Sequence, residues 1–300
     1  MRLRIRKYLS SPLGIYFRIK RDLPFWLRGT SFYADLEKRQ PPVQSHEPRH
    51  EPAIIELYWN QRGGRTNKSA VYTCITNGYD DLDLIANHKY VDPNWDYICF
   101  TDDQSQIAQN RVGIWQIRPL SFSNADATRI NRWHKMHPHI LLPDYNESIY
   151  IDANIDILTP YLFQKIVEFD KDFILPRHDT RTCIYQEFEL FLSEFTEETE
   201  KITAEWKFLR KSGMPRNFGM TENNILYRRH NSPSVIQLME QWWEMVNKYS
   251  RRDQLSLPYL LWKSGADLSR MTFPNARRLP DDFCVFRHTA KPNQSAKETN

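Results

Sequence analysis

Long apolar runs are missing. None of the 300 residues belongs to an uninterrupted apolar stretch approaching the roughly 20 positions that a membrane-crossing helix needs. A cleavable leader is not expected either, because Arg18, Lys20 and Arg21 cut short the apolar core such a signal would require. Cysteine is scarce: Cys74, Cys99, Cys183 and Cys284 show no CxxC or other metal-knuckle spacing. Cys74 and Cys99 fall inside expected strands, where a thiol packs as a small apolar group, so a reducing cytoplasm is the simpler setting. Glycine is sparse, and the pair in NQRGGRTNKS lacks the GxxxxGK(S/T) spacing of a phosphate loop. Internal repeats and low-complexity tracts are absent. The net charge of +4 is too small to imply a nucleic-acid partner for the whole chain.

Aromatic residues are plentiful. Nine Trp, fifteen Tyr and sixteen Phe within 40% hydrophobic content can fill the core of one large domain or two small ones. Charge is unevenly spread. Residues 1–30 gather Arg2, Arg4, Arg6, Lys7, Arg18, Lys20, Arg21 and Arg28 against a single Asp22, with Tyr8, Phe17, Phe25 and Trp26 among them. Such a segment suits the surface of an anionic membrane, which would make the protein peripheral on its inner face. A solvated, partly helical tail is the other reading.

Residues 37–68 are polar and Pro-rich, with one apolar patch at 54–59, and read as a linker or peripheral arm. The regular pattern starts at residue 69, which divides the chain into an arm and linker (1–68), one domain (69–292) and a polar tail (293–300). Strands are expected at AVYTCIT, WDYICFTDD, VGIWQI, SIYIDANIDI, DFILP, NNILYRR and FCVFRH. Helices are expected near 125–136, where Pro138 should end the run, and at 161–168, 186–209, 233–249 and 254–262. The alternation indicates an α/β domain with a mostly parallel sheet flanked by helices. Ligands in such sheets sit beyond the carboxyl ends of the strands. Three expected strands carry polar groups just past that end: Asn77, Asp80 and Asp81; Asp102 and Asp103; and Asp152, Asn154 and Asp156.

In SIYIDANIDI one parity carries Ile149, Ile151, Ala153, Ile155 and Ile157, and the other carries Asp152, Asn154 and Asp156. An extended chain would bury the first set beneath the second. Asp152 and Asn154 could share a hard divalent cation delivered with a nucleotide diphosphate, or could simply line a polar face that meets water. Arg129, Arg132 and Lys135 follow one another at spacings of three on an expected helix and could neutralise a diphosphate. In RHTAKP, His288 offers an imidazole nitrogen and Lys291 a point charge. In NFGMTENNILYRRH, Gly219 allows close backbone approach, while Glu222 and Asn223 can meet sugar hydroxyls.

Taken in order, YTCITNGYDDL, YICFTDD, RINRWHKMHPHILLPDYNESIYIDANIDI, GMTENNILYRRH, RRDQLSLPY and FRH resemble the glycosyltransferase-like family catalogued as domain of unknown function 616. That family is similar in pattern to GT-A nucleotide-sugar transferases of the family 8 kind, and the resemblance spans about residues 70–291. It implies a GT-A-like, Rossmann-like fold and a hexosyltransferase of polysaccharide synthesis. Such an enzyme moves sugar from a nucleotide-diphosphate donor, of the uridine type, to a hydroxyl of a glycan or lipid-linked glycan. By the same resemblance Asp152, Asn154 and His288 would hold Mn²⁺ or Mg²⁺, with Asn154 departing from the commoner D-x-D. Thr76, Asn77, Tyr79 and Asp102 would line the nucleoside, with Arg129, Lys135 and Lys291 on the diphosphate. Gly219, Asn223 and Gln254 would face the sugar. Asp253 is the first catalytic carboxylate and Glu222 the second, although Asp253 also fits as a helix N-cap. Two alternatives stay open. A metal-dependent phosphatase or nucleotidyltransferase would need more ligands than this rim supplies, and a non-catalytic nucleotide- or carbohydrate-binding module is favoured by Asn154.

Overall fold

The computed structural model describes residues 49–63, 67–194 and 198–288, which all belong to one compact unit, Glu47–Asn300. Residues 1–30 and Lys291, singled out above, lie outside the described residues. Every central strand is apolar on both faces. In β1 (Ser69–Ile75) Ala70, Tyr72 and Cys74 join one buried cluster, while Val71 and Ile75 join another. β2 (Trp95–Thr101) divides the same way, Ile98 and Phe100 against Tyr97 and Cys99. Near-continuous apolar runs of this kind are what a sheet covered on both sides requires.

Between β1 and β2 runs a 3₁₀ turn, Leu82–Ile85. Before β1 lies the first helix, α1 (Pro52–Arg62), which begins with proline inside its first turn, where the missing N–H costs nothing. It lies within the stretch read as linker or peripheral arm. Yet Tyr58 is buried, donates to the Trp95 carbonyl at 3.1 Å and meets the Tyr97 ring edge-on at 5.5 Å. Then follow α2 (Gln104–Gln109), β3 (Arg111–Val112), β4 (Trp115–Pro119), α3 (Ala127–Met136), α4 (Pro138–Leu141) and β5 (Glu147–Ile151). Next are β6 (Ile155–Ile157), α5 (Tyr161–Phe169), β7 (Phe173–Pro176), α6 (Ile184–Glu194), α7 (Thr199–Lys211) and β8 (Ile225–Arg228). The described chain closes with α8 (Pro233–Lys248), α9 (Leu257–Lys263), β9 (Thr272–Phe273) and β10 (Phe283–Val285).

Eight strands form the main sheet in the order β3-β4-β2-β1-β5-β8-β7-β9, and β6 pairs with β10 in a separate ribbon. The joins β4–β2, β2–β1, β1–β5 and β7–β9 are parallel. β5–β8, β7–β8 and β3–β4 are antiparallel. The expected mostly parallel α/β sheet is present. Met136 of α3 and buried residues of α6 to α9 cover one face; α1, α5 and the β6–β10 ribbon cover the other.

Three expected elements divide. VGIWQI becomes β3 and β4 because the chain reverses at Gly113, whose φ is +56° and whose Cβ, were there one, would lie 1.8 Å from the Ala86 carbonyl oxygen. The helix expected at 186–209 is two, α6 and α7. SIYIDANIDI is not one strand: a turn begins at Asp152, where the Ile155 N–H returns to the Asp152 carbonyl at 3.0 Å. All five residues of the isoleucine parity still enter one buried cluster. The polar parity disperses. Asp156 is fully buried, 2.6 Å from Arg49 Nε, and accepts the Lys89 N–H at 3.1 Å, so it does not reach the rim.

Candidate active site

The carboxyl ends of β1, β2 and β5 share one rim, and β8, antiparallel to β5, brings its opening residues there as well. The Asp152 N–H donates to the Asn224 carbonyl at 2.9 Å, which fixes Asp152 beside the 221–224 segment. After β1 the chain turns through Asn77 and Gly78 at φ +54° and +60°, the left-handed region these two residue types tolerate. The Asn77 N–H donates to both oxygens of Asp102, at 3.0 and 2.9 Å, tying the β1 loop to the end of β2. Thr76 is less available, because its hydroxyl donates to the Ala127 carbonyl at 3.2 Å. Tyr79 is left half-exposed, its ring centred 4.7 Å from that of His288.

Lys135 occupies the centre. It is 2% exposed, with Nζ 2.8 Å from Asp253 Oδ2 and 3.8 Å from Asp152 Oδ1. Arg132 Nε stands 3.4 Å from Asp253 Oδ1. Burial alone would raise the Asp253 carboxyl, but Arg132 and Lys135 together hold it below the ordinary carboxylate range. Asp253 opens a 3₁₀ turn, Asp253–Leu255, and its side chain goes to these cations. The end of α3 that carries Lys135 is itself clamped. Arg228, fully buried, donates to the Lys135 carbonyl at 2.6 Å and to the Tyr72 hydroxyl at 2.7 Å. The first contact satisfies a carbonyl that the helix terminus leaves open. Asn131 holds the same helix to the sheet by donating to the Cys74 carbonyl at 2.7 Å.

Arg129 is elsewhere. Its guanidinium is engaged by Asp126 at 2.8 Å, Glu198 at 3.0 Å and the Tyr249 carbonyl at 3.0 Å, so it is a scaffold residue rather than part of the cationic centre. Glu222, on the far wall, meets Arg277 Nη1 at 3.2 Å and Gln254 Nε2 at 3.4 Å. Burial raises its carboxyl, against the opposing pull of Arg277. His178 approaches Glu222 at 3.9 Å, but burial and then Arg181 and Arg277 push the imidazole down to about 4, so it is neutral at neutral pH. Gln254 also donates to the Thr221 carbonyl at 3.1 Å, joining the Asp253 and Glu222 segments. Asn223 accepts from the Thr221 hydroxyl at 3.1 Å, while its buried amide nitrogen has no hydrogen-bond partner among the described residues. Gly219, at φ +124°, makes its close approach to Leu268 and not towards the rim; a Cβ there would lie 2.5 Å from Leu268 Cδ1.

The expected metal set is only partly assembled. Asn154 is buried and donates its amide to the Phe286 carbonyl at 2.9 Å, while the Phe286 N–H returns to the Asn154 carbonyl at 2.8 Å. This pair holds the segment after β10 against the turn at Asp152. His288 follows directly, with Nδ1 2.8 Å from Asp80, a contact that raises the imidazole above its ordinary value. Among the described residues no group of three or more His, Cys, Asp and Glu side chains is placed to hold a metal ion.

The model of the TOD1/MUCI70, glycosyltransferase-like domain family matches residues 65–279. The chain belongs to this family. No curated protein matches it in sequence. Solved structures that share part of its shape include mouse xyloside xylosyltransferase 1 in its apo form, with 12% identity, 70% of this chain and 84% of that one covered, and a TM-score of 0.40. The apo bifunctional glycosyltransferase WbbM shows 11% identity over 70% of this chain and 39% of that one, with a TM-score of 0.42. Apo GlyE of Streptococcus pneumoniae TIGR4 shows 10% identity over 68% and 45%, with a TM-score of 0.39.

Within this glycosyltransferase-like domain the rim holds two residues that sequence reasoning passed over. Arg277 pairs with Glu222, and its charge opposes protonation of both His178 and His288. The Phe286 carbonyl anchors Asn154. The local signal for Arg277 was Asn275, which caps the short turn Ala276–Arg278 by accepting from the Arg277 N–H at 2.8 Å.

Replacing Lys135 by Met should leave Asp253 buried with Arg132 alone. The native carboxyl, held low, contributes stability that is present above about pH 3.9 and fades as pH falls through its folded value. In Lys135→Met that loss should begin at a higher pH, with about 3 kcal/mol less stability at pH 7. Urea unfolding at pH 7 and 4 and carboxyl NMR titration check this; an unshifted Asp253 titration contradicts it.

Proposed function

We propose that this chain transfers a sugar from a nucleotide-diphosphate donor, of the uridine type, to an acceptor hydroxyl on a glycan or lipid-linked glycan. The observation that carries the reading is Asp253, buried yet ionised beside Arg132 and Lys135, with Lys135 reaching towards Asp152 at the strand ends. An ammonium has three donors. Lys135 Nζ stands 2.8 Å from Asp253 and 3.8 Å from Asp152, and a donor turned towards the strand ends would meet a pyrophosphate oxygen. Arg132 adds a guanidinium that favours the same anion. As the glycosidic bond breaks, negative charge grows on the departing diphosphate, where fixed cations lower the barrier. Tyr79, half-exposed at the mouth, offers a ring on which a base can stack.

The two carboxylates take different parts in this proposal. Asp253, held low, is a poor proton acceptor and suits the positive charge that develops at the anomeric carbon. Glu222, raised by burial, is better matched to receive the acceptor's proton near neutral pH. The amide nitrogen of Asn223, buried without a hydrogen-bond partner among the described residues, would meet a sugar hydroxyl. A divalent cation, Mn²⁺ or Mg²⁺, entering on the diphosphate would have Asp152 and His288 Nε2 as its protein ligands; it would supply further charge to the leaving phosphate. Asp80, bonded to the other ring nitrogen, orients His288 as carboxylates orient metal-binding imidazoles. Asn154 does not fit that set, because its amide holds Phe286.

A second reading is a nucleotide- or carbohydrate-binding module without turnover, favoured by the same Asn154–Phe286 pairing. A panel of nucleotide sugars with and without Mn²⁺ separates the two. Release of nucleoside diphosphate, reduced at least about 100-fold in Asp152→Ala and in Glu222→Gln, is the expected result. Binding without release supports the module, and release of free phosphate would indicate a phosphatase.

Residues 1–30 extend the proposal to a peripheral enzyme on an anionic membrane surface, where a lipid-linked acceptor resides. The full chain should sediment with phosphatidylserine vesicles and a chain lacking residues 1–30 should not. Equal sedimentation of both contradicts the membrane assignment.

A further inference from the structure

At the β3–β4 edge of the sheet, α1, α2, β3 and β4 line an open cavity of about 530 Å³. Its lining includes three arginines, Arg62, Arg111 and Arg118, beside Trp59, Asn110 and Gln116. Arg62 sets its fork on Asp96, at 2.8 and 3.0 Å, so one of the three charges is balanced locally. Arg118 reaches the Tyr145 hydroxyl, which itself donates to Asp96 at 2.8 Å. Arg111 is exposed and lies over the Trp59 ring, 3.5 Å from its centre. The indole under it is fixed, because Trp59 Nε1 donates to the Gly113 carbonyl at 2.9 Å. A guanidinium held over an aromatic face can keep in-plane N–H groups for a planar oxyanion, which it grips by two parallel bonds.

Size and the remaining donors narrow the ligand. The cavity falls in the range that holds a small organic molecule, which is more room than a bare anion occupies. Asn110 and Gln116 add amide groups of the kind that meet hydroxyls, and the Gln116 amide nitrogen is buried with no hydrogen-bond partner among the described residues. A buried donor left unpaired is a cost that a bound oxygen would remove.

We propose that this cavity is a second, non-catalytic binding site for a sugar bearing an oxyanion, either a uronate or a sugar phosphate. It does not depend on the transfer chemistry, because the ligand is read by direct binding. Its place in the fold separates it from the rim. Its lining strand residues belong to β3 and β4, at the edge of the sheet, whereas Asp152 follows β5, with β2 and β1 standing between β4 and β5.

The test is calorimetry and backbone amide NMR on the full chain with glucuronic acid, glucose 6-phosphate, glucose and inorganic phosphate. Saturable binding of one of the first two is expected, with shifts at Asn110, Arg111 and Gln116, and glucose should not bind. Arg111→Gln should weaken the sugar anion at least tenfold, Arg111→Lys less, and Lys135→Met not at all; unchanged thermal unfolding of Arg111→Gln shows that it folds. Which of the two sugar anions binds tells the carboxylate source from the phosphate source. The proposal is overturned if neither binds, if glucose binds as well as its acid, if inorganic phosphate binds as tightly as the sugar phosphate, or if Lys135→Met abolishes binding while Arg111→Gln leaves it intact.

Discussion

Lys135 and Asp253 meet at 2.8 Å where water scarcely reaches, and much of the structure serves that contact. Removing an ammonium and a carboxylate from water costs several kcal/mol for each ion, and their attraction offsets this only when the geometry is held. The geometry is held from three directions. The Arg228 fork and the Tyr72 hydroxyl grip the end of α3. Asn131 ties the middle of that helix to β1. Trp242 donates to the Asp253 carbonyl at 2.9 Å, anchoring the turn from below. A buried ion pair is a weak source of stability; in the proposed function this pair presents its charge to the diphosphate.

That charge is mixed by design of position. Arg132, Lys135 and Arg277 alternate around the rim with Asp80, Asp152, Glu222 and Asp253. In the proposed function such a rim would meet a diphosphate with its cations and a hydroxylated, cation-like sugar with its carboxylates. The pairing Asn154–Phe286 brings His288 to the same mouth without itself facing a ligand. The residue that departs from the commoner D-x-D pattern has thus become part of the frame.

Some of this could be read from the residues alone. β1 and β2 were legible because a strand buried on both faces is apolar almost throughout, and the isoleucine parity of 149–157 holds even across the turn that divides it. The turn was not legible, since period-two patterning continues through it unchanged. The α3 stripe was half legible. Residues three apart in a helix differ by about 60° around its axis, so over two such steps Arg129 looks towards Asp126 and Glu198 while Lys135 looks towards Asp253. Which carboxylate stands opposite is decided by segments far away in the chain. α1 was hidden by the polar, Pro-rich composition around it, although Pro52 in its first turn was a starting signal. The amide of Asn154 could not be assigned to Phe286 without knowing that β10 returns beside β6.

The most direct measurement is a crystal structure of the protein with uridine diphosphate and Mn²⁺. The account predicts the pyrophosphate within hydrogen-bond distance of Lys135 and Arg132, on the Asp152 and His288 side, with the base against Tyr79. A diphosphate bound away from Lys135, with the Lys135–Asp253 pair facing no ligand atom, would contradict it.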